Sequence, residues 1–297
     1  MRIVAHEIVA IGGALASPLA GRWARRDGLL LRLTDERGEV GIGEASPLPD
    51  YSPDDLDGAR AALAALDWSR PLSTVRAAVA AIDARQPAAR FAVETALLDL
   101  VARRRPAKRA REVAACALVG DLDGARGAWA RGVRCFKVKV GLAFDRAFAE
   151  MQKIRCVLPD ATLRADANRA FSTGEAAERV RALGSLGVEY VEEPAADWAA
   201  LDGIGVPLAA DESLRDRDFS TVIARARVLV LKPMVLGGAL RCLDLARVAA
   251  ARGVDAVASH AFDGPVALRA TVALARALPT ARAHGIDRHA ALDVLGA

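Results

Sequence analysis

Val133-Arg134-Cys135-Phe136-Lys137-Val138-Lys139-Val140 is a short apolar run that ends in two lysines set two residues apart. Side chains two apart on a strand share a face, so if one ammonium points into the interior of a barrel the other does too. A buried lysine is costly unless it is paired or at work. Outward from this stretch, similar runs recur at Val113–Val119, Ala161–Ala165, Val188–Glu192, Val206–Ala210, Val228–Leu231, Val254–Ser259 and Thr280–His284. Between them, 145–158, 173–186 and 239–252 place apolar residues at i, i+3, i+4 and i+7, the period of a helix. This alternation predicts an α/β fold, a closed parallel (β/α)8-type barrel, with an open doubly wound sheet as its competitor.

Chemistry in such a barrel sits where the strands end, at the C-terminal face. The runs end in Lys137-Val138-Lys139, Asp166-Ala167-Asn168, Glu192-Glu193-Pro194, Asp211-Glu212-Ser213, Lys232-Pro233 and Ser259-His260. Steps from 139 to 166, 192, 211, 232 and 260 are 27, 26, 19, 21 and 28, each close to one βα repeat. Three consecutive strands therefore each bring a carboxylate to one rim, and convergent acids repel unless a cation lies among them. Oxygen ligation without Cys or His predicts Mg²⁺, with Mn²⁺ as the alternative. A single acid after a strand would ordinarily cap the following helix, but three in succession point to a metal. The lysines flank this set: Lys137 and Lys139 side by side should depress each other's proton affinity, and Lys232 approaches from the opposite side. Two opposed lysines and a metal suit proton abstraction next to a carboxylate, one lysine moving the proton while the other stabilises an enediolate.

The N-terminal third has a different texture. Residues 1 to about 35 read as two strands, Arg2–Ile11 and Gly28–Leu33, joined by a long polar connector with Pro18 and Arg22-Trp23-Ala24-Arg25-Arg26. That length is more usual in functional lids than in simple connections, a disordered link being the other reading. A strand at Val40–Glu44, the turn-rich Ser46-Pro47-Leu48-Pro49 and Ala-rich helical sequence from 53 to 103, broken near 67–71 and 86–87, complete what reads as a separate α+β unit.

With 297 residues, 53% of them hydrophobic and 26% charged, the chain has ample material for a large core and is not a disordered tract. The net charge of +4 and pI near 9.1 trace to Arg103, Arg104, Arg105, Lys108, Arg109 and Arg111 in one short segment. No aromatic interleaves them and the chain is only 4% aromatic, which argues against nucleic-acid binding. Cys116, Cys135, Cys156 and Cys242 form neither a disulfide scaffold nor a zinc knuckle. With no apolar stretch of about 18 residues, these features predict a cytoplasmic protein without a membrane partner.

The strand-end residues resemble the enolase superfamily in its muconate-lactonizing-enzyme-like branch: K-x-K on the second barrel strand, D-x-N on the third, E-E-P on the fourth, D-E-S on the fifth and a lysine on the sixth. Within it, Arg26-Asp27-Gly28-Leu29, Gly43-Glu44-Ala45-Ser46-Pro47-Leu48-Pro49, Arg164-Ala165-Asp166-Ala167-Asn168-Arg169, Asp211-Glu212-Ser213-Leu214 and Lys232-Pro233 are most similar to the o-succinylbenzoate synthases. The resemblance implies a modified (β/α)7β barrel over 105–285, an α+β capping domain over 1–104 and a tail, 286–297, that returns to the cap. It implies Asp166, Glu192 and Asp211 as Mg²⁺ ligands, Lys139 as the base, Lys137 as the neighbour that tunes Lys139, and Lys232 as the stabilising cation. Arg164 would touch substrate or a neighbouring acid, Asn168 would line the site, and Ser259, His260 and Gly285 would meet the substrate's second carboxylate. The implied reaction is syn dehydration of 2-succinyl-6-hydroxy-2,4-cyclohexadiene-1-carboxylate to o-succinylbenzoate in menaquinone biosynthesis. N-succinylamino acid racemisation or dipeptide epimerisation is the alternative, and the chain is either a monomer or a homo-oligomer. Ser259-His260-Ala261-Phe262 departs from the serine-rich stretch of the family after the seventh strand.

Overall fold

The computed structural model describes residues 1–19, 22–69, 71–104 and 110–296. Its N-terminal sheet has the order β1-β2-β3, from β1 (Ile3–Leu19), β2 (Trp23–Asp35) and β3 (Val40–Ala45), all antiparallel. Of the polar connector expected between residues 12 and 27, residues 12–19 and 23–27 are instead part of these strands, which pair from Ile3 with Asp35 out to Leu19 with Trp23. Arg22 and Arg25 stand exposed there, so the stretch carries little apolar alternation and reads as loop; Arg25 pairs with Asp27 at 2.7 Å, whereas Arg26 between them turns inward and is buried. The side chain of Pro18, and Arg105, Lys108 and Arg109 of the basic cluster, lie outside the described residues.

Leu29, Leu31 and Leu33 alternate onto the buried face of β2. They pack on the helix Pro87–Arg103, which starts with Pro at its first turn and buries Phe91, Val93, Leu97 and Leu100. β3 meets this helix backbone to backbone. A Cβ on Gly43 would fall 1.8 Å from the Ala92 carbonyl oxygen, so only glycine permits the contact. Two shorter helices, Leu56–Ala64 and Val75–Ala80, are capped by Asp55 and Thr74 side chains that accept from Gly58 and Ala77 amides.

The remaining strands form a parallel sheet in the order β10-β9-β8-β7-β6-β5-β4: β4 (Cys116–Val119), β5 (Cys135–Lys139), β6 (Thr162–Asp166), β7 (Tyr190–Glu192), β8 (Leu208–Ala210), β9 (Val228–Leu231) and β10 (Asp255–Ala258). Helices Phe144–Val157, Thr173–Ser185 and Ala239–Ala250 follow the predicted periodicity. The expected eighth strand at Thr280–His284 is absent. Helix 265–277 ends just before Pro279, and the chain then pairs only at His284 with Ala115 and at Gly285 with Ser259. Those two bridges close the gap between β10 and β4, giving a (β/α)7β-type barrel with an N-terminal α+β cap. Tyr190, Ala209, Val228, Val230 and Val257 fill one apolar layer.

Two glutamates from the cap dock it to the barrel. Glu44 on β3 accepts from the amides of Gly264 (2.6 Å) and Ala267 (2.9 Å), at the start of helix 265–277. Glu94 on helix 87–103 accepts from Ala239 and, at 3.1 Å, Leu240, at the start of helix 239–250. Each carboxylate satisfies amides that a helix N-terminus leaves unpaired, at the positive end of its dipole. Leu292 and Leu295 of the C-terminal segment pack with Ile11, Leu15, Trp23 and Phe262. No helix among the described residues is long and apolar enough to cross a membrane.

Candidate functional site

Strand register brings the chemical residues together. Lys139 pairs with Asp166 across β5 and β6, and Asp166 with Glu192 across β6 and β7. Asp211 and Lys232 are the residues that follow β8 and β9. Asp166, Glu192 and Asp211 are 2%, 0% and 4% exposed, so their charges are compensated within the protein. Lys137 Nζ lies 3.0 Å from Asp166 and 3.0 Å from Glu192, bridging them. Lys232 donates to Asp211. Lys139 stands nearer solvent, 3.9 Å from Asp166.

Burial pushes the Glu192 carboxyl up to about 8, with the neighbouring Asp166 charge adding to it. For Asp166 burial acts the same way, but Lys137 and Lys139 outweigh it and hold the group below its ordinary value. Burial opposes the charge on Lys137 and Lys232, yet Asp166 and Glu192 for the first, and Asp211 and Glu192 for the second, raise both above the ordinary lysine range. The expected mutual depression of Lys137 and Lys139 is therefore not what governs Lys137: the acids it bridges dominate. Among the described residues no three His, Cys, Asp or Glu side chains converge closely enough to hold a metal as they stand. In kind, however, three buried carboxylates on successive strand ends fit a hard divalent cation, since an ammonium now bridges the two acids such a cation would bridge.

A second tier organises the rim. Asn168 accepts from Lys139 Nζ at 2.8 Å and donates to Glu212 at 3.3 Å, joining the exposed lysine to the acid beside Asp211. Glu193, fully buried, accepts from the amides of Asp211 (2.9 Å) and Ser213 (2.7 Å) and from Arg169 (2.9 Å), and so fixes the backbone of the Asp211 turn. Asn168, Arg169 and Glu193 have φ of 45°, 63° and 42°, and such left-handed strain in non-glycine residues clusters where function demands a geometry.

The remaining sequence-based candidates divide. Arg164 is 2% exposed, bound to Glu189 at 2.6 Å and to the Ala283 carbonyl at 2.9 Å, with Tyr190 beneath its guanidinium. It lies two residues before Asp166 on β6, and of its two expectations the contact with a neighbouring acid is formed, with Glu189. Gly285 pairs with Ser259 in a bridge that helps to close the barrel, and a Cβ there would fall 2.4 Å from Ser259 Oγ. Ser259 is buried beside it. His260 continues the rim.

Two residues of the site escape sequence reading. Tyr51 donates to Asp211 Oδ2 at 3.0 Å and accepts from Lys232 at 2.6 Å, reaching the barrel from the cap. Arg26, 1% exposed, donates to the carbonyls of Ser46 (2.7 Å), Pro47 (3.0 Å) and Phe262 (3.2 Å), tying β2 to the turn-rich segment and to the rim. The only signal was position: Arg26 opens the motif Arg26-Asp27-Gly28-Leu29 and Tyr51 follows Ser46-Pro47-Leu48-Pro49 by two residues, but neither residue was given a role.

Comparison with known proteins gives a consistent answer. Residues 121–293 match the family model described as enolase C-terminal domain-like, and residues 20–100 match that of the MenC N-terminal domain. An o-succinylbenzoate synthase of Yersinia pseudotuberculosis is 32% identical over 279 residues, covering 90% of this chain and 83% of the relative. Among solved structures, muconate lactonizing enzyme from Pseudomonas putida superposes with a TM-score of 0.84 at 20% identity, covering 96% of this chain and 88% of that one. A dipeptide epimerase from Methylococcus capsulatus, complexed with Mg and the dipeptide L-Arg-D-Lys, gives 0.81 at 24% identity, covering 97% and 91%.

Proposed function

We propose, from the premise that this chain belongs to the enolase superfamily and is a carbon–oxygen lyase of the o-succinylbenzoate synthase kind, that it dehydrates 2-succinyl-6-hydroxy-2,4-cyclohexadiene-1-carboxylate to o-succinylbenzoate. The observation that carries this reading is the placement of Lys139 at the end of β5 and Lys232 just after β9, with three strands and their acids between them. Asp166, Glu192 and Asp211 would hold Mg²⁺ or Mn²⁺, which supplies positive charge where the ring carboxylate gathers negative charge.

Lys139, the most solvent-accessible of the three site lysines, removes the proton α to the ring carboxylate. Charge spreads into an enediolate, and the Lys232 ammonium, kept charged by Asp211, faces it from across the barrel. Lys139 returns the proton to the hydroxyl on the same face, the C–O bond breaks, water departs and the ring becomes aromatic. Asn168 holds Lys139 in position. Proton and hydroxide leave together, so the step needs no other reactant.

The test is a direct dehydration assay on this diene with added Mg²⁺, followed by loss of its diene absorbance. A purified protein that leaves the diene intact overturns the proposal. The second reading, epimerisation of a dipeptide or racemisation of an N-succinylamino acid, draws on the likeness to the Methylococcus epimerase. Incubation in heavy water separates the two, because only epimerisation or racemisation exchanges the α hydrogen of such a substrate and scrambles its configuration.

A further inference from the structure

We propose that His260 orients the departing hydroxyl of the substrate by accepting its hydrogen bond at Nδ1, an inference that rests on the dehydration proposed above. The ring's two nitrogens have unequal surroundings. Nε2 lies 3.2 Å from the carbonyl oxygen of Asp287. A carbonyl only accepts, so Nε2 carries the hydrogen and Nδ1 presents a bare lone pair. Nδ1 is shut away from solvent and has no hydrogen-bond partner among the described residues. An orphaned acceptor of this kind costs free energy unless something donates to it.

The surroundings fix both the place of this lone pair and its neutrality. The His260 amide donates to the Gly285 carbonyl at 3.1 Å, which anchors the residue to the last bridge of the barrel. Phe262 meets the ring edge-on at 6.3 Å, and Trp23 of the cap meets Phe262 in turn at 5.9 Å. Phe262 holds φ at 56°, a conformation that bulky side chains rarely adopt, so the loop is held to this shape by its packing. Burial pushes the imidazole down to about 4, and the Lys232 and Lys137 charges act in the same direction. The residue itself stands two positions beyond β10, the strand next to β9, which Lys232 follows.

The chemistry of the substrate then selects the partner. Its two carboxylates and its ketone only accept hydrogen bonds, and a neutral lone pair repels them. The ring hydroxyl is its one donor. In this reading His260 serves the leaving group and not the second carboxylate. No proton moves to His260: the hydroxyl keeps its own hydrogen, receives the proton carried by Lys139 and departs as water. With its hydrogen held by Nδ1, the hydroxyl turns an oxygen lone pair toward Lys139.

The experiment compares H260L and H260N with the parent, using the diene as substrate and o-succinylbenzoate as a binding probe. The product keeps both carboxylates and the ketone but lacks the hydroxyl. H260L should lose roughly 10- to 100-fold in kcat/KM, the effect of one hydrogen bond, while binding the product within about twofold of the parent. H260N, whose amide oxygen replaces the acceptor, should recover a large part of the loss. Undiminished kcat/KM in H260L, an equal loss in H260N, or product affinity that falls in step with turnover each overturns the role of His260. A parent that does not dehydrate the diene overturns the proposed function, and this inference with it; an active parent with an equally active H260L overturns the inference alone. Product binding also reports whether each variant has folded.

Discussion

The hydroxyl of Tyr51 lies between Asp211 and Lys232, donating to the first at 3.0 Å and accepting from the second at 2.6 Å. The contact joins residues 160 positions apart and makes the cap a structural part of the barrel's chemical rim. Removing the oxygen while keeping the ring leaves the packing of Arg215 over the aromatic face in place. Y51F should therefore fold as the parent does but lose about tenfold in kcat, with KM moving less, because one hydrogen bond to a charged pair is worth about 1.5 kcal/mol or more. Steady-state kinetics at saturating Mg²⁺ reads this directly. An unchanged kcat would mean that Tyr51 merely fills space.

Lys139 combines exposure with a single side-chain hydrogen bond, to Asn168, among those described. K139A should lose turnover by about a thousandfold or more, the usual weight of a lost general base combined with its proton return. Metal binding, measured by calorimetry with Mg²⁺, should persist, since the three carboxylates are untouched. A variant that dehydrates the diene at the parental rate would remove Lys139 from the role of base.

Much of this was legible in residues 133–260 because barrel chemistry obeys a spacing: one strand end every βα unit, and Lys139, Asp166, Glu192, Asp211 and Lys232 fall on that grid. Register did the rest, setting Lys139, Asp166 and Glu192 side by side on adjacent strands. Tyr51 and Arg26 lay beyond such reading because their partners are set by how the cap docks, not by any local period. Arg164 shares a face with Asp166, but alternation says nothing about depth, and two residues earlier on β6 it meets Glu189. The β1–β2 arm misled for a related reason: polarity reports exposure, and an exposed strand with Arg and Asp along it carries the composition of a loop.

Lys137 bridges Asp166 and Glu192, so a divalent cation must compete with an ammonium already held by two buried acids. Binding should still win in millimolar Mg²⁺, because a divalent charge offsets three carboxylates better than one ammonium. Ligand that binds only the folded chain stabilises it by mass action. The melting temperature should rise by a few degrees between EDTA and 10-fold excess of Mg²⁺ over its Kd, an increment on the order of 1 kcal/mol. D166N should abolish the increment. A parent that melts at the same temperature in both conditions would count against metal binding by these acids.

Gly285 supplies half of the bridge that closes the barrel, and an added methyl group would fall 2.4 Å from Ser259 Oγ and 3.0 Å from its Cβ. One of the two segments must shift, at a cost of about 1–3 kcal/mol for overpacking in a tight core. G285A should lower the urea midpoint by a corresponding amount without changing the slope. Because His260 hangs from the Gly285 carbonyl, kcat/KM should fall as well. Parental stability in G285A would show that the bridge is loose.

Glu94 couples the docking of the cap to pH. Burial pushes its carboxyl up to about 7, despite the amides of Leu240 and Ala239 that favour the charged form. In the unfolded chain the same group titrates near the ordinary glutamate value of 4.5. Between those values the folded chain binds more protons than the unfolded one, so stability falls as pH rises through the window and levels off above about 7. E94Q cannot titrate, and its amide oxygen still accepts from the two helix amides. Its stability should therefore lose part of the parental decline between pH 5 and 7, a difference of roughly 1–3 kcal/mol between the two profiles across the window. Urea denaturation of parent and variant at several pH values measures the two slopes. Parallel profiles would mean that Glu94 stays ionised at the helix terminus throughout, and that the dipole and amides outweigh its burial.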